Sequence, residues 1–357
     1  MSLENSRILI TGAGGFIGVR LAECLRKIDG VSLKAMLHRT GTAGAARLAS
    51  LKGVIPVWGS LENESEIATA AEGCTHIIHC AYDGRGTRDQ QGRANTAGLR
   101  SLLEAARRTK VRMFVHISTA VVHAPSEDPV RIGENSPLNG ISDYALIKIR
   151  MEDELRRSGV PYAILRPTAV WGPFSPIWTI QAMDLLRKGI RFLPDEGRGT
   201  ANAIYVDNLV DAAILCLQKR EAAGEAFILN DDEPETWADI YMRGYLRFES
   251  APIPSAIAGG AASGKFLRHV ISTARARWGD RKTVRVVWDM LPEYLRTSIR
   301  RSTVTLAPDL DAFYHCRCRY ANDKIKRVLG WRPRTNFIEA MKRTRAFLDY
   351  YFPEDSF

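Results

Sequence analysis

The sequence predicts an α/β fold in which a doubly wound parallel sheet carries a smaller, discontinuous C-terminal lobe. Three observations lead to this prediction. Short, nearly continuous apolar runs alternate along the chain with stretches of helical periodicity, and no hairpin turn joins consecutive runs. Such runs are typical of strands buried on both faces of a parallel sheet. The first run leads at once into glycines at positions 12, 15 and 18.

The composition sets the class of protein. At 357 residues, with 45% hydrophobic and 25% charged residues, the chain is long enough for one large domain and a substantial lobe. We expect a cytoplasmic protein, because no apolar run approaches the about 18 to 20 residues of a membrane span and the first residues lack the build of a signal peptide. The net charge of +10 favours an anionic partner. Since no nucleic-acid-binding module is recognisable, we expect a small-molecule substrate and no nucleic acid.

The cysteines do not indicate a metal centre. Most of the six lie inside apolar runs, where a reduced thiol behaves as a small hydrophobe. The stretch at 315–318 holds one histidine and two cysteines, and no second cluster with ligand spacing accompanies it. No metal site is therefore predicted.

The glycine-rich turn is the most informative single stretch. Residues 8–10 form a strand, and the helical pattern begins immediately after the glycines. This order lets a pyrophosphate approach bare backbone amides at a helix N-terminus. Gly12 is expected to make the turn, Gly15 to let the phosphates come close, and Gly18 to let the helix pack on the strand. Taken alone, the glycines fit a plain strand–helix connection equally well.

The later elements follow the same alternation. Strands are predicted over 31–37, 54–58, 76–81 and 113–117, helices around 67–71 and over 95–108, and a Gly- and Arg-rich loop over 82–93. The carboxyl ends of parallel strands meet at one edge of a sheet, where ligands collect, and Gly12, Ala81 and Thr119 all lie at such ends. The turn that holds Leu61 is expected on the adenine side.

The end of the second strand bears on the choice of cofactor. An acidic side chain about twenty residues past the glycines commonly holds the adenosine ribose hydroxyls. Here Leu37 takes that position, followed by His38 and Arg39. A basic pair without the carboxylate suits a 2′-phosphate, so NADP(H) is favoured and NAD(H) is the alternative. The pair also fits a solvated loop.

Tyr144 and Lys148 form the candidate catalytic pair. Residues four apart share a helix face, so the Lys148 ammonium can lie near the Tyr144 phenol. An unperturbed tyrosine has a pKa of about 10, and a neighbouring cation lowers it. Thr119, at the end of an inner strand, could hold a substrate oxygen beside the phenol.

A series of short motifs extends over nearly the whole chain. They are T-G-A-G-G-F-I-G at 11–18, Asn95 opening a helix that ends in L-L-E-A-A at 102–106, H-I-S-T-A-V-V at 116–122, Tyr144 with Lys148, L-R-P-T-A-V-W-G-P at 165–173, I-Y-V-D-N at 204–208 and N-D-K-I-K-R-V-L-G-W-R-P at 322–333. In this combination the chain resembles the extended short-chain dehydrogenases/reductases, the family of NAD-dependent epimerases, dehydratases and related reductases. The resemblance implies a Rossmann-type fold.

The resemblance also implies residue roles. Tyr144 would be the general acid/base, Lys148 would lower its pKa and bind the nicotinamide ribose, and Thr119 would position the substrate oxygen. Ala120 stands where sugar dehydratases of the family usually carry an acidic residue, so dehydration is not expected. The implied cofactor contacts are Gly12, Gly15, Phe16, Ile17, Gly18, His38, Arg39, Leu61, Ala81, Tyr144, Lys148, Pro167 and Val170.

The family pattern predicts the division of the chain. A dinucleotide-binding domain would span 1–170, and 202–230 would return to it, with 202–217 and 226–230 rejoining the sheet. A substrate lobe would comprise 171–201 and 231–357. Many nucleotide-sugar members use an asparagine at the position of Ala169 and an arginine at that of Ala201 on the diphosphate, so these two contacts are not expected here. Basic side chains of the 82–93 loop could compensate for them. The assembly is left open, with a homodimer as one alternative.

The segment from Lys265 to Arg301 is unusually basic. It carries ten lysines and arginines against three acidic residues, with tryptophans and valines among them. It fits a solvated surface, a phosphate-binding wall, or a surface that rests on anionic lipid.

The leading interpretation is an NAD(P)-dependent oxidoreductase or epimerase that acts on a secondary alcohol or ketone carbon of an anionic or sugar-like substrate. The alternative within the same class is a ketoreductase, similar to 3-beta-hydroxysteroid dehydrogenases, that acts on a lipophilic molecule. From another class comes a regulator that senses NAD(P) without turnover, although such regulators typically lose the tyrosine–lysine pair.

Overall fold

A computed structural model of the chain describes residues 2–187, 197–233, 236–245 and 308–353. The basic segment from Lys265 to Arg301 lies outside these residues, so its three interpretations stay predictions. Within the described part of the chain, no helix has the length and apolar character needed to cross a membrane.

Strands and helices alternate over most of the chain. The strands are β1 Arg7–Thr11, β2 Ser32–Leu37, β3 Val54–Trp58, β4 His76–His79, β5 Met113–Ile117, β6 Arg131–Ile132, β7 Tyr162–Pro167, β8 Ala169–Trp171, β9 Ala203–Tyr205, β10 Glu225–Leu229 and β11 Arg319–Tyr320. The α-helices are α1 Phe16–Leu25, α2 Ala43–Ala49, α3 Glu64–Ala71, α4 Arg88–Arg108, α5 Asp143–Arg157, α6 Ala182–Arg187, α7 Val206–Gln218, α8 Pro308–His315, α9 Asp323–Leu329 and α10 Phe337–Tyr351.

Seven parallel strands form the central sheet, in the order β10-β7-β5-β4-β1-β2-β3. The strand order reverses at β1, which pairs with β2 on one side and with β4 on the other. Such a reversal opens a crevice at the carboxyl ends of the strands. The predicted fold class, a doubly wound parallel α/β sheet of the Rossmann type, is confirmed.

Helices cover both faces of the sheet. Apolar side chains of α1, α2 and α7 fill one face, and those of α3, α4 and α5 fill the other. A third apolar cluster lies where β8, β9, α8 and α10 meet, and it is rich in aromatic rings, with Trp178 and Trp237 stacked at 5.3 Å between centroids. Both faces of the sheet are thus covered. A ligand can therefore reach the backbone of the strands at their ends.

Two predicted elements differ from the structure. Helix α4 begins at Arg88 rather than at 95, because the Thr87 hydroxyl caps its first turn while the Gln90 side chain accepts from the Thr87 amide at 2.8 Å. The 82–93 loop is therefore shorter than predicted. Strand β9 pairs with β8 in a separate two-stranded sheet, whereas β10 joins the central sheet beside β7. The proposed division into two domains stays a prediction.

Strand β3 forms one edge of the central sheet. Two of its large apolar side chains are exposed to solvent, since Ile55 and Trp58 are each 51% exposed. Pro56 lies between them, in register with Ala35 of β2.

Candidate cofactor and catalytic site

The glycine turn is closely packed against the strand next to it. Gly12 has a φ of +65°, and a Cβ there would lie 2.7 Å from the Ala81 backbone at the end of β4. A Cβ on Gly18 would lie 2.4 Å from the Gly12 carbonyl oxygen. Only glycine fits these contacts, so the helix α1 starts directly against the turn with Gly15 at its N-cap. The first-turn amides of Phe16 and Ile17 belong to this N-terminus.

A cavity of about 360 Å³ opens at the glycine turn. Six of the residues predicted to contact a cofactor line it: Gly12, Gly15, His38, Arg39, Leu61 and Ala81. Further lining residues were not predicted, and they include Gly14, Thr42, Tyr82, Asp83 and Arg85. The other predicted cofactor contacts, Phe16, Ile17, Gly18, Tyr144, Lys148, Pro167 and Val170, are not among the lining residues.

The cavity contains a carboxylate that the sequence did not place there. Leu37 holds the usual acidic position and is 4% exposed. Asp83 enters from the loop after β4, where Arg85 donates from Nε to its Oδ1 at 2.8 Å. Arg85, with a smaller contribution from His38, holds the pKa of Asp83 at about 2. The carboxylate is thus charged at neutral pH, and its charge is matched by the adjacent guanidinium.

The loop that carries Asp83 is fixed to helix α4 by two side chains. Buried Asn95 accepts from the Asp83 amide at 2.8 Å and donates to its carbonyl at 2.9 Å. Gln91 donates to the carbonyls of Gly84 and Gly86, both at 3.1 Å, and accepts from the Tyr82 hydroxyl at 3.2 Å. These hydrogen bonds therefore hold the loop of which residues 82–85 line the cavity.

The candidate catalytic pair lies on the first turns of α5, whose N-cap is Ser142. Lys148 is 2% exposed, and its Nζ donates to the Ile117 carbonyl of β5 at 2.8 Å. The same Nζ lies 5.9 Å from the centre of the Tyr144 ring and 5.4 Å from that of Tyr82. Burial lowers the pKa of Lys148 to about 8, which still leaves the ammonium as the main form at pH 7.

Thr119 lies two residues after the end of β5 and is 9% exposed. Its hydroxyl oxygen accepts a long hydrogen bond, 3.4 Å, from the Val121 amide at the start of the turn Ala120–Val122. The Oγ1 atom keeps its donor proton for another partner. Pro167 ends β7, and Val170 is partly buried in β8.

Comparison with known proteins places this arrangement in context. A model of the NAD-dependent epimerase/dehydratase family matches residues 8–230. The chain is 28% identical over 248 residues to a 4-hydroxy-2-methyl-3-oxo-4-farnesyl-3,4-dihydroquinoline-1-oxide ketoreductase of Stigmatella aurantiaca, which covers 67% of this chain and 71% of that protein. It is 27% identical over 251 residues to a UDP-glucose 4-epimerase of Vibrio cholerae, covering 65% and 73%.

Two solved structures share the fold. The UDP-glucose 4-epimerase of Thermotoga maritima with UDP-glucose has a TM-score of 0.68 at 18% identity, covering 97% of this chain and 99% of that one. The Bordetella bronchiseptica enzyme WbmG in complex with NAD and UDP has a TM-score of 0.70 at 19% identity, covering 97% and 95%. At these identities the likeness concerns the fold.

Proposed function

The chain belongs to the NAD-dependent epimerase/dehydratase family, and we propose that it acts as an oxidoreductase on a secondary alcohol or ketone carbon, with NADP(H) as the favoured cofactor. Relatives named as reductases and epimerases support an enzymatic role. The observation that carries the proposal is the buried ammonium of Lys148 beside Tyr144, at the sheet edge onto which the glycine-lined cavity opens.

The glycine turn and the start of α1 fit the pyrophosphate of a dinucleotide. Backbone amides at a helix N-terminus attract negative charge, and the absence of side chains at Gly12 and Gly15 lets phosphate oxygens approach them. When bound, the nicotinamide would supply or take up the hydride.

Side chains of the protein would transfer the proton. In our proposal the Tyr144 phenolate removes the proton of an alcohol, and in the reverse direction the Tyr144 hydroxyl donates its proton to the oxygen of a ketone. The Lys148 ammonium stabilises the phenolate that this leaves, and the Thr119 hydroxyl donates a second hydrogen bond to the same substrate oxygen. An oxygen that gains negative charge needs both the proton donor and the second donor.

The preference for NADP(H) is supported by the charges along the cavity. His38, Arg39 and Arg85 supply positive or protonatable groups, and Asp83 is the counter-charge of Arg85. Since Leu37 offers no acceptor at the usual position for the ribose hydroxyls, a 2′-phosphate has more to gain here than a 2′-hydroxyl.

One observation supports a second candidate, the ketoreductase alternative, which would act on a lipophilic molecule. Ala169 and Ala201, at the positions where many nucleotide-sugar members carry an asparagine and an arginine, are 3% and 1% exposed and pack in the aromatic-rich core. Neither presents a polar group to a diphosphate. A sugar-like substrate would need other contacts, so we propose a ketone without a nucleotide as the second candidate.

The experiment has two stages. Mass spectrometry of the purified protein, followed by fluorescence titration with NADPH and NADH, establishes whether a dinucleotide binds. Turnover is then assayed with UDP-glucose for epimerisation and with aliphatic and cyclic ketones for NADPH oxidation. Oxidation of NADPH by a ketone supports the ketoreductase, and epimerisation with retained cofactor supports the sugar alternative. Absence of binding of both dinucleotides at millimolar concentration would reject the proposal.

A further inference from the structure

Glu152 is a fully buried carboxylate one helical turn beyond Lys148. Its Oε1 accepts from the Ser118 hydroxyl at 2.6 Å and from Arg166 Nε at 3.0 Å. Its Oε2 accepts from Arg166 Nη2 at 2.6 Å and from Arg156 Nη2 at 2.8 Å. Both oxygens are thus fully used, and the pairing with Arg166 is the bidentate form that gives the most defined geometry.

The network continues from the other side of Arg166. Its Nη1 donates to His123 Nε2 at 2.9 Å, and His123 Nδ1 donates to the Pro137 carbonyl at 2.9 Å. Burial lowers the pKa of His123, so the imidazole is neutral and can accept from the guanidinium. The Glu134 side chain accepts from the Ile228 amide of β10 at 2.9 Å, while its carbonyl lies 3.4 Å from Arg166 Nη1. The network around this ion pair therefore joins α5 and β7 to the segments that follow β5 and β6.

We propose that Glu152 is a positioning residue for the reaction, which fixes the segments that carry Thr119 and Lys148 and keeps the Lys148 side chain charged. The inference rests on the proposed function.

The first half of the proposal follows from the places of its partners in the chain. Ser118 precedes Thr119, Arg166 precedes Pro167, and Glu152 follows Lys148 by one turn of α5. A buried ion pair of this kind adds little to net stability, because removing two charges from water offsets most of their attraction. Its geometry is nevertheless rigid when every donor and acceptor is satisfied. We infer that the pair serves the alignment of the site more than the stability of the fold.

The second half concerns the charges around Lys148. Burial disfavours the ammonium, whereas the negative charge of Glu152 favours it. Within the described part of the chain, three other titratable side chains interact with its charge: His79 of β4, Cys80 directly after β4, and His116 of β5. Burial raises the pKa of the Cys80 thiol to about 12 and lowers that of both histidines, so all three are neutral near pH 7. The phenol rings of Tyr82 and Tyr144, which belong to the described residues, also lie near its Nζ. Glu152 is then the fixed negative charge that supports the ammonium.

The charge of Lys148 depends on pH near neutrality. The folded pKa of Lys148 lies below its ordinary value, so the ammonium is lost as the pH rises through about 8. Glu152→Gln removes the supporting negative charge and leaves Arg166 uncompensated, and both changes lower the pKa of Lys148 further. If the ammonium binds the cofactor ribose, cofactor affinity will weaken at a lower pH in the variant.

The test measures the dissociation constant of NADPH by fluorescence between pH 6 and 9.5. In the wild-type protein we expect a break near pH 8, and in Glu152→Gln we expect the break about one pH unit lower. Glu154→Gln is the matched control, because it makes the same change two residues away on the same helix, at a carboxylate paired with exposed Arg100. Its break should coincide with that of the wild type.

A second variant guards against misfolding. Glu152→Gln combined with Arg166→Met removes both charges, so no uncompensated ion is left inside, and we expect its melting temperature to be closer to that of the wild type. Its break should still lie below that of the wild type. A folded variant with an unchanged break overturns the inference and leaves the proposed function standing. A wild-type protein that binds no dinucleotide at any pH overturns both.

Discussion

The ring of Tyr82 meets the ring of Tyr144 edge-on, with centroids 4.9 Å apart and planes at 83°. The two residues come from different elements, since Tyr82 follows β4 and Tyr144 opens α5. The Tyr82 hydroxyl is engaged by Gln91, and burial raises its pKa, so this phenol keeps its proton. The Tyr82 ring therefore packs against the Tyr144 ring, and its centre lies 5.4 Å from Lys148 Nζ.

Replacement of Tyr82 by leucine tests the role of this ring contact. An edge-to-face aromatic pair contributes about 0.5 to 1.5 kcal/mol beyond its buried area, so we expect Tyr82→Leu to lower kcat about tenfold through a less ordered Tyr144. Tyr82→Phe keeps the ring and should lose much less. Steady-state kinetics with NADPH and a ketone give the comparison. Equal losses in the two variants would point to the hydroxyl instead of the ring.

Tyr144→Phe tests the acid/base role. The ring still packs against Tyr82, but the proton donor is gone, and such groups contribute about 10²- to 10⁴-fold to the rate. We expect turnover to fall by that amount, while the melting temperature and the dissociation constant of NADPH stay close to those of the wild type. Full activity in this variant would contradict the mechanism.

Lys148→Met separates binding from folding. Methionine has a similar length and removes a buried charge, which offsets the loss of the hydrogen bond to the Ile117 carbonyl, so the melting temperature should stay close to that of the wild type. The lost hydrogen bond from an ammonium contributes about 1.5 to 3 kcal/mol, which corresponds to about ten- to a hundredfold weaker NADPH binding, together with lower kcat. Isothermal calorimetry and thermal melts measure the two effects. Unchanged NADPH affinity would place the ammonium away from the ribose.

Arg39→Ala tests the cofactor preference. If Arg39 contacts a 2′-phosphate, its loss should weaken NADPH binding by about ten- to a hundredfold, as expected for a charge-assisted hydrogen bond. NADH has no 2′-phosphate, so its affinity should stay within about twofold of the wild-type value. Arg26→Ala, at the end of α1 and outside the lining of the cavity, serves as the control. Tighter binding of NADH than of NADPH by the wild type would show that His38 and Arg39 ignore the 2′ position.

Much of the fold could be predicted because each strand is a local apolar run. Strands β3 and β5 match the predicted ranges. Strand β5 is buried at every position, as an inner parallel strand requires, and β3 keeps an apolar sequence although it lies at the edge of the sheet. The start of α4 was missed, because its cap depends on one hydroxyl and one amide side chain, Thr87 and Gln90, in a stretch that otherwise reads as a loop.

The site could be predicted only where function demands a local pattern. The glycine turn and the Tyr144–Lys148 spacing are such patterns. Asp83 and Tyr82 reach the cavity because Asn95 and Gln91, on a different element, fix their loop. The partnership of Glu152 with Arg166 joins residues that have no spacing rule between them. Contacts of this kind depend on how the elements pack, and the order of residues alone does not contain them.

The open edge at β3 has a consequence for how the protein behaves at high concentration. An unpaired edge strand with apolar side chains invites a strand from another molecule, which is a common start of aggregation. Pro56, midway along β3, has no N–H to donate to an incoming strand, so an added ladder would be interrupted at its centre. Ile55 and Trp58 can thus stay exposed at the edge of the sheet, because Pro56 between them disfavours edge-to-edge pairing with another molecule.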